Sequence, residues 1–157
     1  NDGKVFVPVE CDGVDQVDVY ETDGKFVHSF GQGILSSSRV RDITANDDRV
    51  MVLDRETHCV HVFSTQGDHL HQFGVQGVTR YGAIAFHQPS EHVIISSWNP
   101  DNESRGQVSV YTKDGEFVRR VQLDTDKKPW LLGLTVTVDG RVAVTNRLRG
   151  KVHVLQY

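Results

Sequence analysis

The sequence predicts an all-β protein made of four-stranded antiparallel meanders arranged as propeller blades, and three observations lead there. Short apolar pulses recur with period-two alternation. Polar turns that carry glycine or asparagine separate them. The whole pattern then repeats at an interval of about 45 residues, the length of a four-stranded blade.

The clearest unit runs from Arg39 to Gly74 and holds four pulses in order, Val40-Ile43, Val50-Val52, Val60-Phe63 and His69-Phe73. Asn46-Asp47-Asp48 and Thr65-Gln66-Gly67 punctuate it, as antiparallel hairpins require. Within it, Val50-Val52 and Val60-Phe63 are expected to pair antiparallel. The third pulse recurs as Val19-Tyr20, Val62-Phe63, Val110-Tyr111 and Val154-Leu155, at intervals of 43, 48 and 44 residues. The second recurs as Lys4-Val7, Arg49-Val52, His92-Ile95 and Arg141-Val144. After the third pulse come Thr22-Asp23-Gly24, Thr65-Gln66-Gly67 and Lys113-Asp114-Gly115, where glycine supplies the positive φ of the turn. With strands lettered a to d from the inside of each blade, the first unit starts at b and the last stops after c. Fourteen strands, or about three and a half blades, are expected in a single segment over 1–31, 39–74, 81–123 and 131–157. A closed ring takes four blades or more, so the expectation is a partial ring or a ring completed by oligomerisation.

With 157 residues, 38% hydrophobic and 24% charged, the chain has the composition of a globular domain with a real core. No apolar run approaches the roughly 20 residues of a membrane span, and Asn1-Asp2-Gly3-Lys4 lacks the basic and apolar regions of a signal peptide. The chain is expected to begin inside a longer protein and to have no membrane partner. Cys11 and Cys59 are too few for a disulfide framework and lack zinc spacing, which points to a reducing, cytoplasmic setting. A net charge of -4 gives no global attraction to nucleic acid, so such binding needs a local patch.

The unit from Arg39 to Gly74 resembles the NHL repeat of the propellers that end the tripartite-motif ubiquitin ligases. Asp54, Val60, Val62, Phe63, Gly67, Phe73 and Gly74 stand at matching positions; Thr57 takes the place of the repeat's Asn, and His58 keeps its His. In the last unit Asn146 stands where Asp54 does, and Arg147 to Lys151 replaces the Asn-His loop. The resemblance implies a target-recognition domain whose RING lies outside this chain, with single-stranded or hairpin RNA as the alternative ligand. It also implies a domain that ends on strand c and takes strand d of that blade from its N-terminus, so that an N-terminal half-ring is missing.

In such an architecture the b–c and d–a loops share one end of the blades. Those loops carry ten basic and eight acidic residues, against seven and thirteen in the rest of the chain. They also vary in length, and variable loops on a rigid scaffold are where binding is usually placed. The candidate binding residues are Arg39, Arg41, Arg55 and His58 in the first half, and Arg80, Tyr81, Trp98 and Arg105 in the third unit. Lys127, Lys128, Trp130, Arg147, Arg149 and Lys151 form the densest basic group, where cations would meet phosphates or an acidic partner. Trp98 and Trp130 fit packing between blades or anchoring of a protein ligand about equally well.

No catalytic residue, cofactor or metal is expected. Of eight histidines, His69 and His71 lie on the outer strand, and the set reads as solvated side chains rather than converging zinc ligands. Cys59 reads as a half-buried filler, Asn102-Glu103-Ser104 as a polar loop, and Asp54 as an acid that ties down the amides of the loop after it. A propeller metalloenzyme would need acids or histidines along the inner strands. Arg41-Thr44, Gly82-Ala85 and Gly133-Val136 offer only Asp42. The leading expectation is therefore a non-enzymatic module that binds a protein through these loops, with homodimerisation as a way to cover its open flanks.

Overall fold

The computed structural model describes residues 3–35, 40–77, 80–99, 106–124 and 129–156. Fourteen β-strands occupy most of that length, with two short 3-10 turns at Gln88–Ser90 and Arg147–Arg149. The chain divides into two compact units, Asn1–Gly74 and Val75–Tyr157, each holding two antiparallel sheets.

In the first unit, β1 (Lys4–Cys11), β2 (Val14–Glu21) and β3 (Phe26–Phe30) form a three-stranded meander. β4 (Val40–Ala45), β5 (Arg49–Asp54), β6 (Cys59–Ser64) and β7 (His69–Gly74) form a four-stranded one. The expected central pairing is present, with Val50 opposite Phe63 and Met51 opposite Val62. Asn46 closes the β4–β5 turn by accepting the amide protons of Asp48 and Arg49 through Oδ1. Val17, Val19, Phe30 and Leu35 pack against Val50, Val52 and Phe63, with the Phe30 and Phe63 rings 5.1 Å apart. Each such side chain contributes about 1.5–3 kcal/mol when fully buried. Gly67, at φ 99°, turns the chain from β6 to β7 against Phe30, where an added Cβ would stand 2.5 Å from the Phe30 Cβ.

In the second unit, β8 (Arg80–His87), β9 (His92–Trp98), β10 (Gln107–Thr112) and β11 (Phe117–Gln122) make a four-stranded sheet. β12 (Leu131–Val136), β13 (Arg141–Asn146) and β14 (Lys151–Gln156) make a three-stranded one. Ile94, Trp98, Val108 and Leu123 pack against Leu131, Val142 and Val144. Gly82 lets β8 approach β12 closely, since a Cβ there would press on Ser96 Oγ and stand 3.0 Å from the Leu131 carbonyl oxygen.

Two irregularities recur. Each inner strand that begins a meander slips register near its start, at Val40/Asp42 in β4, Tyr81/Ile84 in β8 and Leu131/Leu134 in β12. Each outer strand carries a bulge one residue after its head, at Val27 in β3, Leu70 in β7 and Val118 in β11. The head residue of each outer strand lays a ring on an aromatic of the strand beside it: Phe26 on Tyr20, His69 on Phe63, and Phe117 on Tyr111, at 5.7, 5.1 and 5.6 Å.

The histidines depart from expectation. His61 and His87 are buried, at 3% and 8% exposure: His61 because the middle strand β6 is covered on both faces, His87 because the end of β8 is held between Ser90 and the Val138 carbonyl. The sequon Asn102-Glu103-Ser104 lies outside the described residues.

Candidate interaction surface

In the first unit, β1 and β2 end in a two-residue turn, Asp12-Gly13, with both residues at positive φ. That turn sets Glu10 opposite Asp15. Asp15, 5% exposed, accepts the Val40 amide proton through Oδ2 at 3.3 Å and so fixes the start of β4. The register slip after Val40 brings Arg41 to the same place, and Arg55 follows the end of β5. The result is a polar cleft of about 350 Å³ lined by Arg41, Arg55, Glu10 and Asp15 together with Pro8, Val9 and Val40. Charges of both signs suit a partner that presents both signs.

The loop after β5 is built on Asp54. Buried at 1% exposure, it accepts the amide protons of Glu56 at 2.8 Å and Thr57 at 3.3 Å, as an acid at this position is expected to do. His58 takes the left-handed conformation at φ 57°, and the half-buried Cys59 thiol donates to the Thr57 carbonyl. His61 Nε2 lies 3.7 Å from Asp54 Oδ2, and its Nδ1 lies 3.4 Å from Nε2 of exposed His69. Burial holds His61 below the usual imidazole range, against the pull of the Asp54 carboxylate. This chain of contacts was not legible in the spacing of His58, His61, His69 and His71. Among the described residues, no group of three or more His, Cys, Asp or Glu side chains is placed to hold a metal.

In the second unit, the loop between β13 and β14 is a 3-10 turn, Arg147–Arg149, closed by Gly150 at φ 60°. Asn146 is buried like Asp54 but accepts from the Trp130 amide at 3.4 Å, while the Arg147 amide donates to the Trp130 carbonyl at 2.9 Å. These bonds clamp Trp130 to the loop. The Arg147 guanidinium sits 5.1 Å from the centre of the Trp130 ring. Trp130 is still 47% exposed, and Leu148 on the turn 57%. Arg149 and Lys151 follow on the same loop and at the head of β14.

Of the residues expected to bind, Arg41 and Arg55 share the first cleft, with His58 on the loop that Arg55 begins. Trp130 and Arg147 are brought into contact, on the loop that leads through Arg149 to Lys151. Arg80 is exposed at the head of β8. Two expectations are corrected. Tyr81 is 2% exposed, its hydroxyl donating to the Val75 carbonyl at 3.4 Å, and Trp98 is 9% exposed within the core. Both sit on strands packed against a neighbouring strand or sheet, so neither offers a ring to a ligand. Arg39, Arg105, Lys127 and Lys128 lie outside the described residues. Leu148 went unnoticed in the sequence because it stands alone between two arginines; Glu10 and Asp15 did because they counted only as charge.

No protein-family profile and no curated protein matches this sequence. Among solved structures, the chain is similar to one in a crystal structure of a nidogen/laminin complex, with a TM-score of 0.70 and 16% identity. The fold is that of a β-propeller. The match covers 99% of this chain and 61% of that one, so this chain spans less than two thirds of its propeller neighbour. At such identity the likeness is one of fold, and the four sheets are four-stranded blades or three-stranded parts of them.

Proposed function

We propose that this chain is a non-enzymatic propeller module that binds a protein partner through the loops joining strands b and c. The observation that carries this reading is the exposed Trp130, clamped beside the Arg147 guanidinium to a fixed turn that also carries exposed Leu148 and leads through Arg149 to Lys151. Tryptophan and arginine are the residues most enriched at the energetic centres of protein interfaces. The partner it suits has an acidic, apolar segment. The propeller neighbour was solved in a complex of two proteins, which is in keeping with such a role. The finer reading follows the NHL resemblance: the target-recognition part of a cytoplasmic tripartite-motif ubiquitin ligase.

Peptides selected for binding from a random displayed library test the proposal. Enriched sequences should combine acidic and apolar residues, and Trp130→Ala should weaken them about tenfold or more. Selected peptides that bind the Trp130→Ala protein as well as the original would overturn it.

The cluster Arg147, Arg149 and Lys151 favours RNA as a second reading. Binding to an RNA oligomer pool would then fall steeply with salt. Charge reversal at those residues and at Arg41 would weaken it more than reversal at Arg119 or Arg120. Equal effects would indicate nonspecific attraction. Self-association is a further part of the proposal. β14 is the edge of its sheet, and Val152 and Val154 stand 62% and 65% exposed on it. Light scattering that finds only a 17.6 kDa monomer at every concentration would remove it.

A further inference from the structure

The opposite end of the second unit carries a pocket that none of the loops above reaches. It lies where the β8–β9 turn, the β12–β13 turn and the head of β11 meet, and its volume is about 550 Å³, within the range of small-molecule sites. Its wall is fixed by His87. Val138 offers a carbonyl that can only accept, so His87 Nε2 carries a proton and donates to it at 3.1 Å. Nδ1 lies 2.6 Å from the Ser90 hydroxyl oxygen. The imidazole thus ties one turn to the other across two sheets. On the far side the Gln156 amide donates to the Asp139 carbonyl at 2.9 Å and pins the second turn to β14. The pocket is therefore preformed, which lowers the entropic cost of binding.

Its lining divides by chemistry. Val118 and Val138 give an apolar side, 43% and 82% exposed. Val138 is the most exposed large apolar side chain among the described residues. Arg119 and His92 give a donor side. Burial, with His87 and Arg119 beside it, holds His92 below the usual imidazole range, so near neutral pH it is a neutral donor rather than a second cation. The two acids nearby keep their charge but have cations of their own. Asp139 is gripped by the Thr137 hydroxyl and by Arg141 Nε at 3.0 Å, and Glu91 by Lys113 Nζ at 2.9 Å. One guanidinium, one neutral imidazole and an apolar wall select a single negative charge on an apolar body.

We infer that the pocket between the two turns binds a small organic monocarboxylate, its carboxylate at Arg119 and His92 and its hydrocarbon part on Val118 and Val138. The site is separate from the b–c loops and does not depend on the function proposed for them.

Hexanoate is the probe, titrated at constant ionic strength into the ¹⁵N-labelled chain while amide shifts are followed. The expected result is saturable movement of the Val118, Arg119 and Gly140 amides, with hexan-1-ol and hexylamine producing none. Arg119→Gln should weaken hexanoate about tenfold or more, the loss of one charge-assisted hydrogen bond. Lys25→Gln, an exposed turn position in the other unit, should leave the affinity unchanged. The spectra themselves report whether each variant is folded. Val138→Glu, at a highly exposed hairpin position, should abolish binding by repulsion on a folded chain. No saturable shift with hexanoate, equal shifts with the alcohol, or undiminished affinity in Arg119→Gln would each overturn the inference.

Discussion

The loops that follow β5 and β13 occupy the same place in the repeat, yet they are held in different ways. Asp54 and Asn146 are both buried at the end of strand b, and four residues later His58 and Gly150 both adopt the left-handed conformation, at φ 57° and 60°. The backbone path is shared. In the first loop the acid gives Oδ1 to the loop's own amides and turns Oδ2 to His61. In the second, the amide side chain reaches back to Trp130, and the turn is left to its own 3-10 hydrogen bonding and to glycine. The difference teaches where a repeat can differ from its neighbours. A loop anchored from within stays closed on its scaffold, whereas one anchored to the residue that leads into the neighbouring strand carries that tryptophan with it.

Substitution tests this contrast most strongly at Asp54. Asp54→Ala removes an acceptor of two amide protons in a buried site and should cost about 2–4 kcal/mol in urea denaturation of the whole chain. Asn146→Ala removes one long hydrogen bond and should cost about 1 kcal/mol. It should also free Trp130, read as a change in its fluorescence that Asp54→Ala does not produce. Equal costs at the two positions would mean that the loops are held alike. Gly150→Ala should cost about 1 kcal/mol through the strain of positive φ alone, since nothing lies within 4 Å of the added carbon.

The gentlest effect is a slope with pH. The folded chain holds His61 below its unfolded value near 6.5, so the unfolded chain binds the extra proton first. Stability of the first unit should therefore be full above about pH 6.5 and decline as pH falls through the folded value. Thermal melts across that interval should show the decline, and His61→Gln should flatten it. A stability that rises on acidification would instead mean that the Asp54 contact outweighs burial.

The strands were legible in the sequence because alternation and glycine turns are local. Val50-Val52 and Val60-Phe63 pair as their spacing indicates. Burial was less legible wherever a polar atom sits on a two-sided strand. His61 stands between Val60 and Val62 in a run with no alternation, and that run itself signals burial on both faces. Tyr81 and Trp98 could be read as ligand anchors because their polar tips leave either role open. Of the site, the basic loop at Arg147 to Lys151 could be seen as charge, but its clamp on Trp130 depends on Asn146 in another strand. No spacing encodes that contact.

The ring at the head of each outer strand bears on how the molecule opens. β7 and β11 are largely exposed, and each begins with a single ring laid on Phe63 or Tyr111, followed at once by a bulge. β3 begins in the same way but ends on Phe30 in the core. A strand held by few apolar contacts opens locally at much less cost than global unfolding. Amide protons of β7 and β11 should exchange with deuterium first and those of β3 later, while those of β5, β6, β9 and β10 wait for the core to come apart. β7 and β11 thus behave as hinged shutters on a rigid frame, each latched by one aromatic side chain.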